Sequence, residues 1–429
     1  MRGHVLAARM RAAAAALVSA AVAAGLAGAA GGELDPSFSG DGWVRTLEVR
    51  TASNNYLPAG AEDVALQPDG KIVAVGEIQD GTSHWYFGVF RYLPDGNLDP
   101  SFAGKGWTAL DLGSFEFAHA VAVQRDGKLV VAGEADCPRA ICFALARFGP
   151  DGSVDRGFGT DGVVRTMFDQ CGCKAYDVAV QPDGRIVAVG WRFRYGDAQD
   201  DDLFAVARYL PDGSLDRTFS RDGRASLDFG FGDDIAHAVA VQPDGKILVA
   251  GGGTRNRYRT ESDFAFARFR PDGRLDRTFS GNGLATVHFG GLLSDTAFGI
   301  ALRRDGRIVA AGASGKKDSV PRIAVARLRP NGSLEWKRLT RPGVHGGYAR
   351  AVVQLADGSI VVGGRVFTDD RLDASDWALV RYGAGGGTTV SDFGTGSDWI
   401  GGLAAQRDGR LVAAGSIYES QAIARYRLP

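Results

Sequence analysis

One turn, flanked on both sides by apolar residues, recurs along the whole chain. Its first copy reads VALQPDGKIVAVG and its fourth reads VAVQPDGKILVAG. The turn glycines follow one another at intervals of 51 to 61 residues, at Gly70, Gly127, Gly184, Gly245, Gly306, Gly358 and Gly409. A near-constant period indicates a repeat protein, because each unit buries its apolar surface against the next unit. The chain therefore contains seven copies of one structural unit.

Each repeat is predicted to contain four strands, A to D. In the first repeat these strands are placed at 61–67, 71–76, 86–93 and 106–111. Gly70 and Gly96 each end a Pro-Asp-Gly turn, where glycine supplies the positive φ that closes a tight hairpin. Strand B is apolar at nearly every position, as expected when neighbouring sheets cover both of its faces. The 61 glycines and only 3 methionines among 429 residues also favour an all-β fold over a helical one.

Side-chain size predicts how the repeats pack. Six repeats carry alanine two places before the end of strand A, at Ala65, Ala122, Ala179, Ala240, Ala301 and Ala404. Phenylalanine stands at the far end of the repeat, at Phe38, Phe102, Phe158, Phe219 and Phe279. A unit that is narrow inside and wide outside is a wedge, and a ring of such sheets is a β-propeller. We predict an all-β, seven-bladed β-propeller of four-stranded antiparallel blades, with residues 33–429 as a single domain.

The two ends of the chain share one repeat. The C-terminal ARYRLP stops after strand C of the last repeat, and the remaining part, ELDPSFSGDGW, stands at 33–43. In a ring, an N-terminal strand that completes the last blade hydrogen-bonds both ends together and leaves no open sheet edge. We expect the ring to be closed in this way.

The repeat resembles that of a known family. The third copy reads VAVQPDGRIVAVG and continues, after a variable loop, with ARYLPDGSLDRTF, a pattern similar to the delta-60 repeat. The resemblance covers residues 33–429 and is stronger in five repeats than in the last two. It implies a secreted or surface-exposed bacterial β-propeller, in a family whose biochemical function is largely uncharacterised, and it supplies no catalytic residues. The sixth repeat departs from the pattern, because RYGAGGGTTVSDFG replaces the usual turn between strands C and D.

The first 29 residues have the form of a secretory signal peptide. Arg2, Arg9 and Arg11 precede the apolar run AAAAALVSAAVAAGL, and AGA at 27–29 has the small-x-small form of a cleavage site. A signal anchor is the alternative, although an alanine-rich run is weakly hydrophobic for a membrane span. We expect a secreted or cell-surface protein with no membrane span in the mature chain. The formal net charge of −1 gives no indication of a nucleic-acid partner.

Residues present in every repeat are expected to build the fold rather than to carry out chemistry. An arginine in strand C recurs in all seven, at Arg91, Arg147, Arg208, Arg268, Arg327, Arg381 and Arg425. A guanidinium in an apolar strand needs a partner, and the aspartate of the LDxSF segment is the candidate. These aspartates are Asp35, Asp99, Asp155, Asp216 and Asp276. The repeated turn acids do not form a D-x-D-x-D-G loop, so no metal site is predicted there.

Residues that differ between repeats are the candidates for function. The B–C and D–A loops vary in length and share one face, where propellers usually bind their ligands. One variable position, five before the end of strand A, runs around the predicted channel mouth as Glu62, His119, Tyr176, His237, Phe298, Arg350 and Gly401. Acids, imidazoles and a guanidinium together suit a polar ligand or acid–base chemistry, which makes Glu62, His119, Tyr176, His237 and Arg350 candidate ligand-binding residues. The alternative is that they only solvate the channel rim.

A second candidate site lies in the B–C loops of the third and fourth repeats. It consists of Arg192, Arg194, Tyr195, Arg255, Arg257 and Tyr258. Guanidinium groups and aromatic rings suit anionic or glycan ligands. Several acids stand beside them, so local charge neutralisation on a solvated loop is the alternative.

The four cysteines fall in two loops of the variable face. Cys137 and Cys142 lie in one B–C loop, and Cys171 and Cys173 lie in the following D–A loop. In a secreted chain an even number of nearby cysteines implies disulfides. We expect each cysteine to pair with one of the other loop, because a bridge within Cys171-Gly172-Cys173 would be strained. A zinc site is the alternative.

These observations favour a noncatalytic propeller that binds a protein or glycan through the variable face. The alternative is an extracellular hydrolase or lyase with a polar site at the channel mouth, and a purely structural surface protein is a third possibility. No G-x-S-x-G, H-E-x-x-H or S-x-D-x-G-x-x-W motif occurs. No cofactor is predicted. The opposite face repeats polar turns without an apolar patch, so we expect a monomer.

Overall fold

A computed structural model of the chain describes most residues from 32 to the C-terminus. The described ranges are 32–47, 49–50, 55–58, 60–80, 84–113, 116–169, 172–194, 201–230, 232–254, 261–290, 294–315, 320–383, 386–394, 396–418 and 420–429. The regular structure in these ranges consists of β-strands, which confirms the predicted all-β class. Within them no helix is long and apolar enough to cross a membrane. The predicted signal segment, 1–29, lies outside the described residues.

The strands are short and follow one another along the whole described chain. In chain order they are β1 (Glu33–Leu34), β2 (Trp43–Thr46), β3 (Val49–Arg50), β4 (Asn55–Pro58), β5 (Asp63–Leu66), β6 (Ile72–Asp80), β7 (Trp85–Tyr92), β8 (Trp107–Leu110), β9 (Phe117–Val123), β10 (Leu129–Asp136), β11 (Ile141–Phe148), β12 (Val163–Thr166), β13 (Cys173–Val180), β14 (Ile186–Arg194), β15 (Asp201–Tyr209), β16 (Arg224–Leu227), β17 (Ile235–Val241), β18 (Ile247–Thr254), β19 (Ser262–Phe269), β20 (Leu284–Val287), β21 (Ser294–Leu302), β22 (Ile308–Gly315), β23 (Arg322–Leu328), β24 (Leu334–Thr340), β25 (Gly347–Gln354), β26 (Ile360–Phe367), β27 (Ser375–Tyr382), β28 (Gly387–Ser391), β29 (Trp399–Ala405), β30 (Leu411–Ile417) and β31 (Ser420–Arg427).

Consecutive strands pair antiparallel into four-stranded sheets. The strands β9 to β12, β13 to β16 and β25 to β28 each form one sheet in sequence order. The strands β17 to β20 and β21 to β24 form two similar sheets, joined by one parallel pairing between Ser262 and Ser294. The strands β5 to β8 form another sheet, to which β3 and β4 add beyond the end of β5. Each sheet corresponds to one A-to-D repeat of the sequence.

The N-terminal segment belongs to the same sheet as the C-terminal strands. The strand β2 pairs antiparallel with β31, with Trp43 opposite Ala424, and β1 pairs with the far end of β31. The strand β31 also pairs with β30, and β30 pairs with β29. The N-terminal β2 therefore supplies the fourth strand of this sheet, next to the third strand of the last repeat.

The strands of the first repeat agree with the predicted ones within two residues at each end, except for the end of strand B. In the first repeat, strand B continues to Asp80, four residues beyond the predicted end, because Asp80 N–H bonds to the His84 carbonyl and prolongs the hairpin. In the sixth repeat, strands C and D pair from Trp377 opposite Ser391, although the Pro-Asp-Gly turn is missing. That hairpin closes through a different turn, in which Gly386 N–H bonds to the Gly383 carbonyl.

The strand C arginines hold neighbouring sheets together. Arg208 Nε donates to Asp216 at 2.9 Å, and its Nη1 donates to the Pro271 carbonyl in the next repeat at 2.6 Å. Its guanidinium also lies 4.8 Å from the centre of the buried Phe219 ring. The predicted arginine–aspartate pairs are also present as Arg91–Asp99, Arg147–Asp155, Arg268–Asp276 and Arg425–Asp35, each with an N–O distance of 2.8 Å. The predicted pairing of the strand C arginines with the LDxSF aspartates is therefore confirmed in five repeats. In the other two, Arg327 pairs with Glu335 and Arg381 pairs with Asp357.

A β-bulge interrupts the first strand of six repeats. In β9, Ala118 pairs with Gly133 and Ala120 pairs with Ala132, so His119 has no partner in the ladder. A Cβ atom on Gly133 would lie 1.8 Å from the Phe117 carbonyl oxygen, so only glycine fits opposite the bulge. The same register shift occurs in the other repeats, at Tyr176, His237, Phe298, Arg350 and Gly401. Glu62 has the equivalent place just before β5, with Gly76 opposite the Gly60 carbonyl.

Candidate functional site

The bulged residues of the first strands form a set that we call the bulge row. The row consists of Glu62, His119, Tyr176, His237, Phe298, Arg350 and Gly401. The strands that carry them, β5, β9, β13, β17, β21, β25 and β29, each contact the next, and β29 contacts β5. A bulge turns one side chain out of the regular alternation, so each repeat presents its variable residue on the same side of its first strand.

The middle of the bulge row is aromatic. The ring centres of His119 and Tyr176 are 5.3 Å apart, those of Tyr176 and His237 are 5.0 Å apart, and those of His237 and Phe298 are 4.9 Å apart. The Tyr176 hydroxyl accepts a hydrogen bond from Trp191 Nε1 at 3.2 Å, which fixes the tyrosine ring. These distances are those of favourable ring contacts, so the four rings form one continuous surface.

Further aromatic residues extend this surface in both directions. Phe117 lies 6.4 Å from His119, and Trp85 lies 5.7 Å from Phe117, measured between ring centres. On the other side, Tyr348 lies 6.1 Å from Phe298. We call the seven rings Trp85, Phe117, His119, Tyr176, His237, Phe298 and Tyr348 the aromatic row. All seven are half-buried, so part of each ring remains accessible.

An ion pair joins two members of the bulge row that are far apart in sequence, Arg350 and Glu62. Arg350 Nη1 lies 3.0 Å from a Glu62 carboxylate oxygen, and its guanidinium lies 4.5 Å from the centre of the Trp399 ring. Glu77 lies close to both charged groups. Its burial and the negative charge of Glu62 raise the pKa of Glu77 to about 7, while the charges of His119 and Arg350 act in the opposite direction. An acid with a pKa near neutrality is suited to proton transfer.

A second acid stands on the other side of His119. Lys174 Nζ lies 2.8 Å from one carboxylate oxygen of Glu134, and His119 Nε2 lies 3.8 Å from the other. Burial alone would raise the pKa of Glu134, but the nearby His119 and the hydrogen bond from Lys174 lower it overall, so this carboxylate stays ionised. Burial, followed by the positive charges of Arg350 and His119, lowers the pKa of His237 to about 3, which keeps that imidazole neutral.

Two aspartates next to the bulge row have a structural role. Asp63 accepts a hydrogen bond from Val121 N–H at 2.9 Å, and Asp177 accepts one from Val239 N–H at 2.7 Å. In each case the donor belongs to the next repeat. Burial raises the pKa of Asp63 to about 6 and that of Asp177 to about 8. These carboxylates therefore join adjacent first strands.

A small polar pocket opens beside His237. Its volume is about 200 Å³. It is lined by Asp233, Thr254, Glu261, Ser262, Ser294 and Thr296 in addition to His237. Hydroxyl and carboxylate groups next to an aromatic surface are typical of sites that bind hydroxylated ligands.

The predicted loop cluster is only partly described. Arg192 Nη1 bonds to Asp169 at 2.7 Å, which agrees with local charge neutralisation for this residue. Arg194 ends β14, and its backbone pairs with Asp201. The other members, Tyr195, Arg255, Arg257 and Tyr258, lie outside the described residues.

The cysteine pairing differs from the prediction. Cys137 and Cys142 form a disulfide with each other across the ends of one B–C loop, so they do not pair with the other loop. The reason is geometric: the hairpin of β10 and β11 brings their Cα atoms to 5.9 Å, within the range of a disulfide. The buried Cys173 lies at the start of β13, with its Sγ 3.4 Å from the Thr166 carbonyl oxygen. Cys171 lies outside the described residues.

Sequence reasoning missed Glu77 and Glu134. Both directly follow the strand B glycine opposite the bulge, in VAVGE and VVAGE. That position varies between repeats as Glu77, Glu134, Trp191, Gly252, Ala313, Arg365 and Ser416. A comparison of equivalent positions between the repeats, which selects the bulge row as variable, selects this position as well.

Two further histidines lie among carboxylates. His84 stands with Asp111 and Glu116, and His288 stands with Asp263 and Asp295. In each cluster, one ligand atom from each residue lies within 4.8 Å of the others. Their positions on three separate segments explain why sequence spacing did not reveal them.

Comparisons with known proteins agree with this architecture. The chain matches a family model described as a domain of unknown function (DUF5122) beta-propeller at residues 67–102, 124–158, 181–219, 242–279 and 303–335. These matches support a β-propeller repeat family. No curated protein matches the chain in sequence.

Several solved structures are similar to this chain over most of its length. Virginiamycin B lyase from Staphylococcus aureus is 10% identical, with a TM-score of 0.51 over 90% of this chain and 99% of that one. Sqt1 from Chaetomium thermophilum is 13% identical, with a TM-score of 0.45 over 86% and 96%. The polysaccharide lyase Uly1 is 10% identical, with a TM-score of 0.45 over 86% and 90%. At 10% identity the likeness to virginiamycin B lyase concerns the fold alone.

Proposed function

We propose that residues 33–429 form a single, secreted, seven-bladed β-propeller of the delta-60 type, closed by the N-terminal strand. The contact of β29 with β5 and the pairing of β2 with β31 support closure. The Cys137–Cys142 disulfide is typical of an oxidising compartment and, with the predicted signal peptide at 1–29, supports secretion. In this ring the bulge row surrounds the mouth of the central channel.

The propeller binds a neutral glycan at the channel mouth. The aromatic row is the observation that carries this proposal, because flat, partly exposed rings pack against the apolar faces of sugar rings. The surrounding Glu62, Glu134, Lys174 and Arg350 offer donors and acceptors for sugar hydroxyls. The carboxylates there would repel a strongly anionic polymer, so a neutral glycan fits better.

Binding to a panel of neutral oligosaccharides, measured by isothermal titration calorimetry on the full chain, tests this proposal. We expect Tyr176→Ala and His119→Ala each to weaken binding about tenfold, the loss of roughly 1.4 kcal/mol of ring contact. His345→Ala is the matched control, since His345 pairs with Asp370 outside the bulge row. Equal affinity in all four proteins would show that the aromatic row is not the site.

Catalysis is the second candidate function, and Glu77 is the observation that favours it. An acid with a pKa of about 7 beside a second carboxylate, Glu62, resembles the pair that glycan-cleaving enzymes use for proton transfer. Release of new sugar ends from a bound glycan is the measurement. If the protein is an enzyme, Glu77→Gln abolishes release while binding remains. A bound glycan that stays intact for wild-type protein assigns a purely binding role.

A further inference from the structure

The cluster of His84, Asp111 and Glu116 lies at the edge of the first two sheets. His84 directly precedes β7, Asp111 directly follows β8, and Glu116 directly precedes β9. His84 Nε2 lies 3.4 Å from Asp111 Oδ1. One carboxylate oxygen of Glu116 lies within 4.8 Å of both other ligand atoms.

Glu116 is the buried member of the cluster. Its exposure is 0%, and its Oε1 accepts a hydrogen bond from Leu112 N–H at 2.6 Å. Its Oε2 has no hydrogen-bond partner among the described residues, and neither has the buried Nε2 atom of His84. Buried polar atoms without partners are rare because each costs free energy, and a cation would satisfy both atoms at once.

We propose that His84, Asp111 and Glu116 bind a divalent transition-metal ion, Zn²⁺ or Mn²⁺. Two ligands at about 2.1 Å from a tetrahedral ion lie about 3.4 Å apart, which matches the distance between the His84 nitrogen and the Asp111 oxygen. One imidazole and two carboxylates suit Zn²⁺ or Mn²⁺ better than Ca²⁺, which takes oxygen ligands, or Cu⁺, which prefers sulfur.

The second cluster provides an internal contrast. There His288 Nδ1 already lies at hydrogen-bond distance, 3.0 Å, from Asp263 Oδ1. The His288 imidazole is thus already paired directly with the Asp263 carboxylate. The wider spacing at His84 leaves room for an ion between the two groups, so the metal is assigned to the first cluster.

Metal binding to the full chain, stripped with a chelator, tests this assignment. Titrations with Zn²⁺ and with Mn²⁺ in a calorimeter, and with Co²⁺ as a spectroscopic probe of the zinc site, are expected to show one equivalent per chain. His84→Ala and Glu116→Gln should each lower the affinity at least about 100-fold by removing a direct ligand. The glutamine retains an acceptor for Leu112 N–H, so this variant separates ligand loss from loop damage.

His288→Ala is the matched control and should bind the ion as wild-type protein does. Thermal unfolding in chelator checks that every variant is folded, and Zn²⁺ should then raise the Tm of wild-type protein but not that of His84→Ala. The assignment is overturned if wild-type protein binds neither Zn²⁺ nor Mn²⁺ more tightly than His84→Ala does. It is also overturned if His288→Ala, rather than His84→Ala, loses the site.

Discussion

Replacing Arg208 by methionine removes one of the arginines that join neighbouring sheets. The side chain is 3% exposed and donates to Asp216, to Thr218 at 3.2 Å and to the Pro271 carbonyl of the next repeat. Methionine has a similar length and fills the apolar space against Phe219, but it donates no hydrogen bond. The substitution therefore isolates the polar contacts of the guanidinium.

The expected loss of stability is about 3 kcal/mol. Removing one partner of a buried ion pair costs roughly 3–5 kcal/mol, because the remaining charge is left without compensation. The lower end applies here, since Asp216 keeps Arg185 at 2.9 Å and the Thr218 hydroxyl at 2.6 Å. An unfolding entropy of about 2.1 cal/mol/K per residue over about 400 residues converts this loss into a fall in Tm of about 4 °C.

Calorimetry and denaturant unfolding of wild-type protein and two variants measure the effect. Arg217→Met is the matched control, because Arg217 is exposed and lies directly after Asp216 in the same LDxSF segment. This substitution removes the same charge as Arg208→Met does. It should change the free energy of unfolding by less than about 0.5 kcal/mol. If Arg208→Met unfolds within that same margin of wild-type protein, the guanidinium does not join the sheets.

Three further substitutions test other parts of the structure. Gly190→Ala should destabilise the protein by about 1–3 kcal/mol and weaken glycan binding. The reason is that the added Cβ would lie 1.8 Å from the Lys174 carbonyl oxygen and displace Tyr176. An unchanged Tm and an unchanged glycan affinity would contradict this role of the bulge. Cys142→Ser removes a disulfide between residues that are 5 apart in sequence, and loop entropy predicts that the free energy of unfolding in denaturant falls by about 2 kcal/mol. Reducing agent should then have no further effect on the stability of this variant. Burial raises the pKa of Glu77 from 4.5 to about 7, so the folded state holds this proton more tightly and the free energy of unfolding falls as pH rises through that range. In unfolding measured from about pH 4.5 to about pH 8, Glu77→Gln should remove this part of the pH dependence. The same pH dependence in the variant and in wild-type protein would refute the prediction.

The sequence by itself determined the repeat and the contacts that recur with it. Each Pro-Asp-Gly turn specifies a hairpin locally, through the fixed φ of proline and the positive φ of glycine, as at Gly70. Seven equivalent arginines in apolar strands need hydrogen-bond partners, and the LDxSF aspartates are acids that recur with the repeat. The sequence therefore predicts that they pair. The spacing of the repeats also selected His119 and Tyr176 as variable positions on a constant scaffold.

Tertiary structure decided which of these residues meet. The bulge in strand A, which glycines such as Gly133 permit, sets the direction of the variable side chains, and no turn signal encodes it. Glu134 joins His119 and Lys174 only because adjacent sheets pack against each other. The same packing brings His84 to the acids Asp111 and Glu116. Local periodicity thus specifies each sheet, whereas the candidate sites form between sheets, where contacts depend on long-range packing that the spacing of residues does not record.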